Sequence, residues 1–225
     1  MFLGHYAVAL AAKKAAPRTS LGTLVAAAQL LDLIWPVLLI AGVEHARPAS
    51  GGTPFTNLQF TSYPISHSLL MAIVWGALFA LAYWLRTRWT SAAVILGLVV
   101  VSHWMLDWVT HVPDLPLTPG GSARVGLGLW NSVAGTLVVE LAMFVIGIAI
   151  YLRATRARDK IGSWGTWALL VVLLLLYGAN FAGPPPSNER TLGWFGLLGW
   201  LVPLWAWWTD RHRAPAGAGA APNLS

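Results

Sequence analysis

The sequence predicts an all-α, polytopic membrane protein with about six transmembrane helices and a short N-terminal half-helix. Of its 225 residues, 57% are hydrophobic and only 10% are charged, whereas soluble domains carry about 25% charged residues. The mean hydropathy is +0.64, and long apolar runs recur along the chain. The chain contains no cysteine, which excludes disulfide frameworks, thiolate zinc sites and cysteine nucleophiles.

The first apolar stretch, residues 2–15, is too short to cross a bilayer, because a spanning helix needs about 20 residues. It ends at Lys13 and Lys14, whereas a secretory signal peptide carries its basic residues before the apolar stretch. We therefore expect a half-length helix or re-entrant segment that turns at Pro17.

Six longer apolar runs follow and are predicted to span the membrane. The connections between them are short, apart from two Pro/Gly-rich stretches at 46–63 and 113–127. The predicted spans are 21–44, 65–86, 89–112, 128–152, 163–182 and 192–208.

The basic residues predict the orientation of these spans. Eleven of the fourteen Lys and Arg residues flank the spans on one side, and Arg47, Arg124 and Arg190 lie on the other. By the positive-inside rule, the side with eleven is cytoplasmic, so both termini are expected inside. The high pI then reflects topology and contact with anionic membrane lipids, and no nucleic-acid partner is predicted. The eleven are Lys13, Lys14, Arg18, Arg86, Arg88, Arg153, Arg156, Arg158, Lys160, Arg211 and Arg213.

Three acidic residues, Asp32, Asp107 and Glu140, lie near the middle of predicted spans. Each costs about 2.5–3.5 kcal/mol on insertion scales. Because no Lys or Arg lies deep in any predicted span, these carboxylates must be protonated, face water or bind a cation.

The strongest local pattern is the i, i+4, i+8 series His103, Asp107 and His111. These positions lie within about 80° of one another on one helical face. His5 and His67 are expected at a similar depth, in the outer half of the membrane. Imidazole and carboxylate ligands without thiolate suit zinc and also admit Mn or Fe. The candidate metal ligands are His5, Asp32, His67, His103, Asp107, His111 and Glu140.

Simpler interpretations remain open for single residues. In one such interpretation, His5 has no functional role. In another, His67 lies at a helix N-terminus at the membrane interface and binds no metal. Asp32 and Glu140 could be protonated and hydrogen-bonded between helices. Asp114 follows a proline and is expected in a solvated turn. Five further residues at helix ends are also expected to be solvated: His45, Asp159, Glu189, Asp210 and His212.

Five segments in the first 152 residues carry a resemblance: GHYAVALAAKKAAP, AAQLLDLIWP, YPISHSLLMA, SHWMLDWVTHVPDLPL and GLWNS. They resemble, in this order, the YdjM-like family of bacterial inner-membrane proteins, which are described as metal-dependent hydrolases. The resemblance implies a bacterial inner-membrane location. That family is in turn distantly similar to the zinc-dependent phospholipases C.

The resemblance implies a centre of one or two zinc ions, with Asp107 as the bridge. His111 and Glu140 would belong to a further metal position. Two features depart from the soluble enzymes: their N-terminal Trp ligand is absent, and Thr136 stands where they have a His four residues before the final Glu. The main ligands implied are His5, Asp32, His67, His103 and Asp107.

The chain divides into a metal-site membrane domain at 1–152, two further spans at 153–213 and a disordered tail at 214–225. The first functional hypothesis is a metal-dependent hydrolase with Asp32 and Asp107 as catalytic residues. Its substrate would be a phosphoester or phospholipid, reached from the outer side. The alternatives are a metal-ion or proton transporter, marked by intramembrane His and carboxylate groups, and a non-catalytic scaffold. No HExxH or GxSxG motif is present.

Overall fold

The computed structural model describes residues 1–48 and 52–216, and it is mostly helical, as the sequence predicts. Three pairs of short antiparallel strands accompany the helices. The helices are α1 (Leu3–Ala15), α2 (Leu21–Ala28), α3 (Leu30–Ile40), α4 (Pro64–His67), α5 (Leu69–Thr87), α6 (Thr90–Thr110), α7 (Val133–Ala154), α8 (Thr166–Ala182), α9 (Glu189–Leu197) and α10 (Leu201–Arg211). The strands are β1 (His45–Pro48), β2 (Leu58–Ser62), β3 (Leu115–Pro116), β4 (Arg124–Val125), β5 (Thr155–Ala157) and β6 (Arg213–Pro215).

Four helical segments of the described chain are long and apolar enough to cross a membrane. They are α5, α6, α7 and the continuous helix Ile161–Ala182, which begins with a π-helical turn and continues as α8. The pair α2 and α3, bent by 57°, makes a fifth span if it is counted as one. These segments correspond to the first five predicted spans.

The sixth predicted span, 192–208, is not confirmed as a single helix. Its residues belong to α9, a 3-10 turn at Leu198–Trp200 and α10. Pro203 lies within α10, and charged residues such as Glu189 and Arg211 occupy the two ends of the segment. Proline and charge both disfavour a long apolar helix.

The predicted half-length helix is α1, and it lies at the centre of the bundle. Its 13 residues extend about 20 Å. Most of its side chains are buried, and it packs against α2, α6 and α7. The contact with α7 is close, because a Cβ at Gly147 would lie 2.7 Å from the Ala7 carbonyl oxygen.

Helices α5 and α6 form a hairpin with unequal exposure. They approach closely at Gly76 and Gly97, as small residues allow between membrane helices. Only 11% of the most apolar stretch of α5 is buried, compared with 44% for α6. The inner helix, α6, is therefore the one that carries polar residues into the bundle.

The two Pro/Gly-rich connections contain strand pairs at one end of the bundle. The first holds β1 and β2, and the second holds β3 and β4. At the opposite end, β5 pairs with β6, so Arg213–Pro215 are ordered as a strand. The predicted disordered tail starts within this strand at residue 214, and its residues 217–225 lie outside the described residues.

The prediction that Asp210 is solvated is wrong, because this residue is buried. Its Oδ2 accepts a 2.5 Å bond from Lys13 Nζ and a 2.9 Å bond from the Leu21 backbone N–H. Its Oδ1 accepts from the Tyr151 hydroxyl at 3.0 Å. One carboxylate thus joins α1, α2, α7 and α10, and the lysine supplies the charge that makes its burial tolerable.

We expect Lys13→Met to lower the free energy of unfolding by about 3–5 kcal/mol, because it leaves Asp210 buried without a counter-charge. The measurement is thermal unfolding of the purified protein in detergent. Lys14→Met is the matched control, since the neighbouring Lys14 is exposed. Equal melting temperatures for the two variants would contradict a stabilising role for this ion pair.

Candidate metal centre

Four helices that are far apart in the sequence bring five predicted ligands to one point. His5 comes from α1, Asp32 from α3, His67 from α4, and His103 and Asp107 from α6. The two α6 residues are one helical turn apart, so their side chains share a face. The five are the residues that the family resemblance implies as the main ligands.

Asp107 lies at the middle of this cluster, and each of its oxygens faces a different histidine. Its Oδ1 is 3.1 Å from His5 Nε2, and its Oδ2 is 3.1 Å from His103 Nε2 and 3.8 Å from His67 Nε2. Asp32 Oδ1 is 3.3 Å from His67 Nε2 and 3.8 Å from His103 Nε2. Nitrogen and oxygen ligand atoms therefore converge within a few ångströms.

Two overlapping groups in this cluster could hold a metal ion. One is His5, His103 and Asp107, and the other is Asp32, His67 and His103. The ligand atoms in each group lie within 4.8 Å of one another. The two groups share His103, and Asp107 contacts residues of both. A donor set of imidazole and carboxylate without sulfur fits a borderline divalent ion such as zinc, and it leaves the identity of the metal open.

The protonation of His103 fits a ligand role. Its Nδ1 is 2.7 Å from the Ala28 carbonyl oxygen, which can only accept, so Nδ1 carries the proton. In the neutral ring, Nε2 then holds a lone pair. This buried atom has no hydrogen-bond partner, although Asp107 Oδ2 is only 3.1 Å away. A lone pair facing a carboxylate oxygen is repulsive unless a cation binds both.

His67 is oriented by a chain of hydrogen bonds. Its Nδ1 is 2.6 Å from Ser66 Oγ, and Ser66 Oγ donates to Glu44 Oε2 at 2.5 Å. Glu44 is fully buried, and its Oε1 accepts from the backbone N–H groups of Ile65 and Ser66. This arrangement protonates Nδ1 and directs the Nε2 lone pair to the carboxylates, as in metal sites where a carboxylate fixes the ligand histidine.

The sequence reasoning did not identify Glu44 and Ser66. Their signal is present but weak: Ser66 directly precedes a candidate ligand, and Glu44 is the last residue of the first predicted span. Nothing in the spacing indicates that the loop between them returns the two residues to one place.

His5 and His103 form a parallel ring stack with centroids 3.7 Å apart and planes at 5°. Two imidazolium ions would repel each other strongly at this distance, so at least one of these rings is neutral. His5 Nδ1 is buried without a partner. The amino group of Met1 contacts Asp107 Oδ1 and supplies one positive charge. The stack thus leaves the histidines available as ligands beside two carboxylates.

Glu140 lies outside both groups, although it was predicted to be a metal ligand. Its Oε2 accepts backbone hydrogen bonds at the N-terminus of α1, where the amide groups have no helical partner and anions are favoured. The donors are Phe2 at 2.8 Å, Leu3 at 2.6 Å and Gly4 at 3.3 Å. Depth in a span could not separate the two roles, because the cap and the cluster lie at similar heights.

His111 also lies outside both groups. It follows the last residue of α6 with extended backbone (φ −64°, ψ 147°), so the helical stripe does not continue to i+8. Its Nδ1 is 2.9 Å from Asp114 Oδ1, which also accepts from the Tyr63 hydroxyl at 3.0 Å. Burial raises the pKa of Tyr63, so its hydroxyl stays a donor. Asp114 lies in a turn, as predicted, and its side chain is partly buried and hydrogen-bonded to His111 and Tyr63.

A cavity of about 450 Å³ opens onto the cluster. Asp32, His67 and Asp107 lie in its wall, and the Asp32 side chain is 42% exposed. The volume is in the range of small-molecule sites. Aromatic side chains make up much of the remaining wall near the cluster: Phe2, Tyr6, Trp35, Phe55, Phe60 and Trp130.

The fold and the cluster together define a helical protein with membrane-span candidates and a buried histidine–carboxylate site that could hold a metal ion. No protein-family model, curated protein or solved structure matches the chain.

We expect the purified protein to retain a divalent metal and His103→Ala to lose most of it, because His103 belongs to both ligand groups. Elemental analysis of the detergent-purified protein measures this. The matched control is His45→Ala, since His45 lies outside the cluster. Its half-exposed side chain pairs with Glu189. Equal metal contents in the two variants would contradict the site.

Ser66 orients His67 through its hydrogen bonds and is not itself a ligand. Ser66→Ala removes the link between Glu44 and His67, and we expect metal affinity to fall by about 10- to 100-fold. Competition with a chelator of known affinity measures it. Ser62→Ala is a suitable control on the nearby strand β2. An unchanged affinity in Ser66→Ala would show that this chain does not orient the ligand.

Proposed function

We propose that this chain is an integral membrane hydrolase with a divalent metal centre, zinc being the metal that the donor set suits best. The observation that carries the proposal is a buried cluster of three histidines and two carboxylates at the wall of a cavity. The residues that would hold one or two ions are His5, Asp32, His67, His103 and Asp107.

If these residues hold a divalent ion, it would supply Lewis acidity, which lowers the pKa of bound water and polarises an ester oxygen. The residues of the chain fix the ligand geometry and contact the water and the substrate. Asp107 and the three histidines are buried and fix the geometry. Asp32 alone among the five has a substantially exposed side chain, so it is the carboxylate that meets water and substrate in the cavity.

The proposed reaction is hydrolysis of a phosphoester. The oxygen of water forms a bond to phosphorus, and the bond from phosphorus to the alcohol oxygen breaks. Asp32 accepts the proton that the attacking water loses and returns it to the departing alcohol oxygen, as a general base and then a general acid. One phosphodiester and one water are consumed, and one phosphomonoester and one alcohol are released.

We place the chain in a bacterial inner membrane with both termini in the cytoplasm. The supporting contacts lie at one end of the bundle, where basic residues from several segments meet. Arg18 packs over Trp89, Arg88 over Trp84 and Arg211 over Trp207, as basic and aromatic residues do at the inner interface. The segment α9–α10 would complete a sixth span, and the cluster would lie in the outer half of the membrane.

The five segments that resemble the YdjM-like family contain all five cluster residues. The resemblance supports a hydrolase over a transporter or a scaffold, and its distant similarity to zinc-dependent phospholipases C supports a phosphoester or phospholipid substrate.

The test is hydrolysis by the zinc-loaded protein in lipid nanodiscs of p-nitrophenyl phosphodiesters and of phospholipids. We expect Asp32→Asn to lower kcat by about 100- to 10,000-fold, the usual contribution of a general base. Metal content should fall only in part, because Asp32 belongs to one ligand group and the group of His5, His103 and Asp107 does not include it. Asp107→Asn should lose both metal and activity.

Asp159→Asn is the control, because Asp159 is exposed at the opposite end of the bundle. The proposal fails if the zinc-loaded wild type hydrolyses none of these esters. It also fails if Asp107→Asn retains full activity. Zinc flux into vesicles that is abolished by His103→Ala would favour the transporter instead.

A further inference from the structure

The cavity extends well beyond the metal cluster, to the last helices of the chain. Its wall includes Leu176 and Asn180 of α8, and Leu192 and Phe195 of α9. Helix α8 packs on α10, whereas α9 packs on α3. The two helices therefore pack on different neighbouring helices, and the cavity lies between them.

The far end of the cavity reaches the outer surface of the bundle. Leu176, Phe195 and Leu198 line it and are nevertheless 45%, 65% and 57% exposed. Leu176 and Phe195 are each six residues from the ends of their helices at Ala182 and Glu189, which corresponds to about 9 Å. The opening is thus bordered by apolar side chains of two helices, each about 9 Å along its helix from the end that the loop 183–188 joins.

The lining favours a hydrocarbon chain over a polyanion. No Lys or Arg contributes to the described wall of this cavity, and most of its side chains are aliphatic or aromatic. The polar and charged groups are concentrated near the cluster, with Asp32, His67 and Asp107 among them. A ligand that fits both parts has one polar ester end and one apolar chain.

The wall on the α3 side is closely packed. A Cβ at Gly196 would lie 2.6 Å from Pro36 Cγ, and one at Gly193 would lie 2.7 Å from Ile40 Cγ1. Helix α9 therefore rests directly on α3 and closes that side, which leaves the gap toward α8 as the opening.

We propose that the opening between α8 and α9 admits the hydrocarbon chain of a membrane lipid laterally from the bilayer, so that its ester group reaches the cluster. The last two spans then form the chain-binding part of the site. This inference rests on the proposed hydrolase function and specifies its substrate as a lipid rather than a soluble phosphoester.

The test compares two substrates with the same leaving group, hexadecyl p-nitrophenyl phosphate and methyl p-nitrophenyl phosphate, in nanodiscs. Leu176→Trp narrows the opening, and we expect it to lower the ratio of kcat/KM for the long over the short substrate by at least about tenfold, a typical effect of reshaping an apolar pocket. Leu175→Trp is the matched control, because Leu175 is the next residue on α8 and is 66% exposed. An equal ratio in both variants would overturn the inference and leave the hydrolase proposal standing.

A binding measurement keeps the inference testable even without hydrolysis. Because the chain has no cysteine, a fluorophore can be placed specifically on Leu192→Cys in the wall. Phosphatidylcholine that carries a nitroxide on its acyl chain should quench this fluorophore, and the quenching should fall in the added presence of Leu176→Trp but not of Leu175→Trp. Quenching that is insensitive to Leu176→Trp would overturn lateral entry; sensitive quenching with no hydrolysis of any ester would support it and contradict the hydrolase function.

Discussion

The buried carboxylate of Asp107 is the constraint on which the rest of the structure depends. It lies in an apolar bundle, where an uncompensated charge is very costly. The Met1 amino group contacts it directly, and His5, His67 and His103 surround it. The oxygens of this carboxylate have partners on helices α1, α4 and α6, so these helices must meet here. The need to compensate this one charge therefore constrains the relative positions of the three helices.

Groups outside the cluster hold its histidines and helices in place. The bend between α2 and α3 occurs beside Ala28, whose carbonyl holds His103 Nδ1. The buried Glu44 holds His67 through Ser66, and Glu140 binds the first amides of α1. Glu44 thus orients a histidine of the cluster, and Glu140 holds the helix that carries His5. These two carboxylates therefore support the cluster, whereas Lys13 and Asp210 form a separate buried ion pair.

Residue type and helical spacing are local properties, and they marked seven candidate ligands. The family resemblance implied the five of them that the structure brings together. Sequence reasoning assigned Glu140 and His111 to the same site because both lie at a suitable depth or on the same projected stripe. Depth does not distinguish a helix cap from a ligand, and the stripe ends where α6 ends. Asp210 was misjudged for a related reason: a residue near a helix end is exposed or buried according to which helix packs beside it.

The sequence by itself determined the helical class, most of the apolar spans and the main candidate ligands. Hydropathy, charge and i, i+4 spacing depend only on the order of the residues, so no packing is needed to recognise them. Only the tertiary structure decided which polar groups meet. The long-range pairs Lys13–Asp210, Glu44–Ser66 and Asp32–His67 depend on helix packing, and so does the cavity that runs from the cluster to α8 and α9. Distant residues come together because the surfaces of several helices fit one another, and the residues of one segment do not determine that fit.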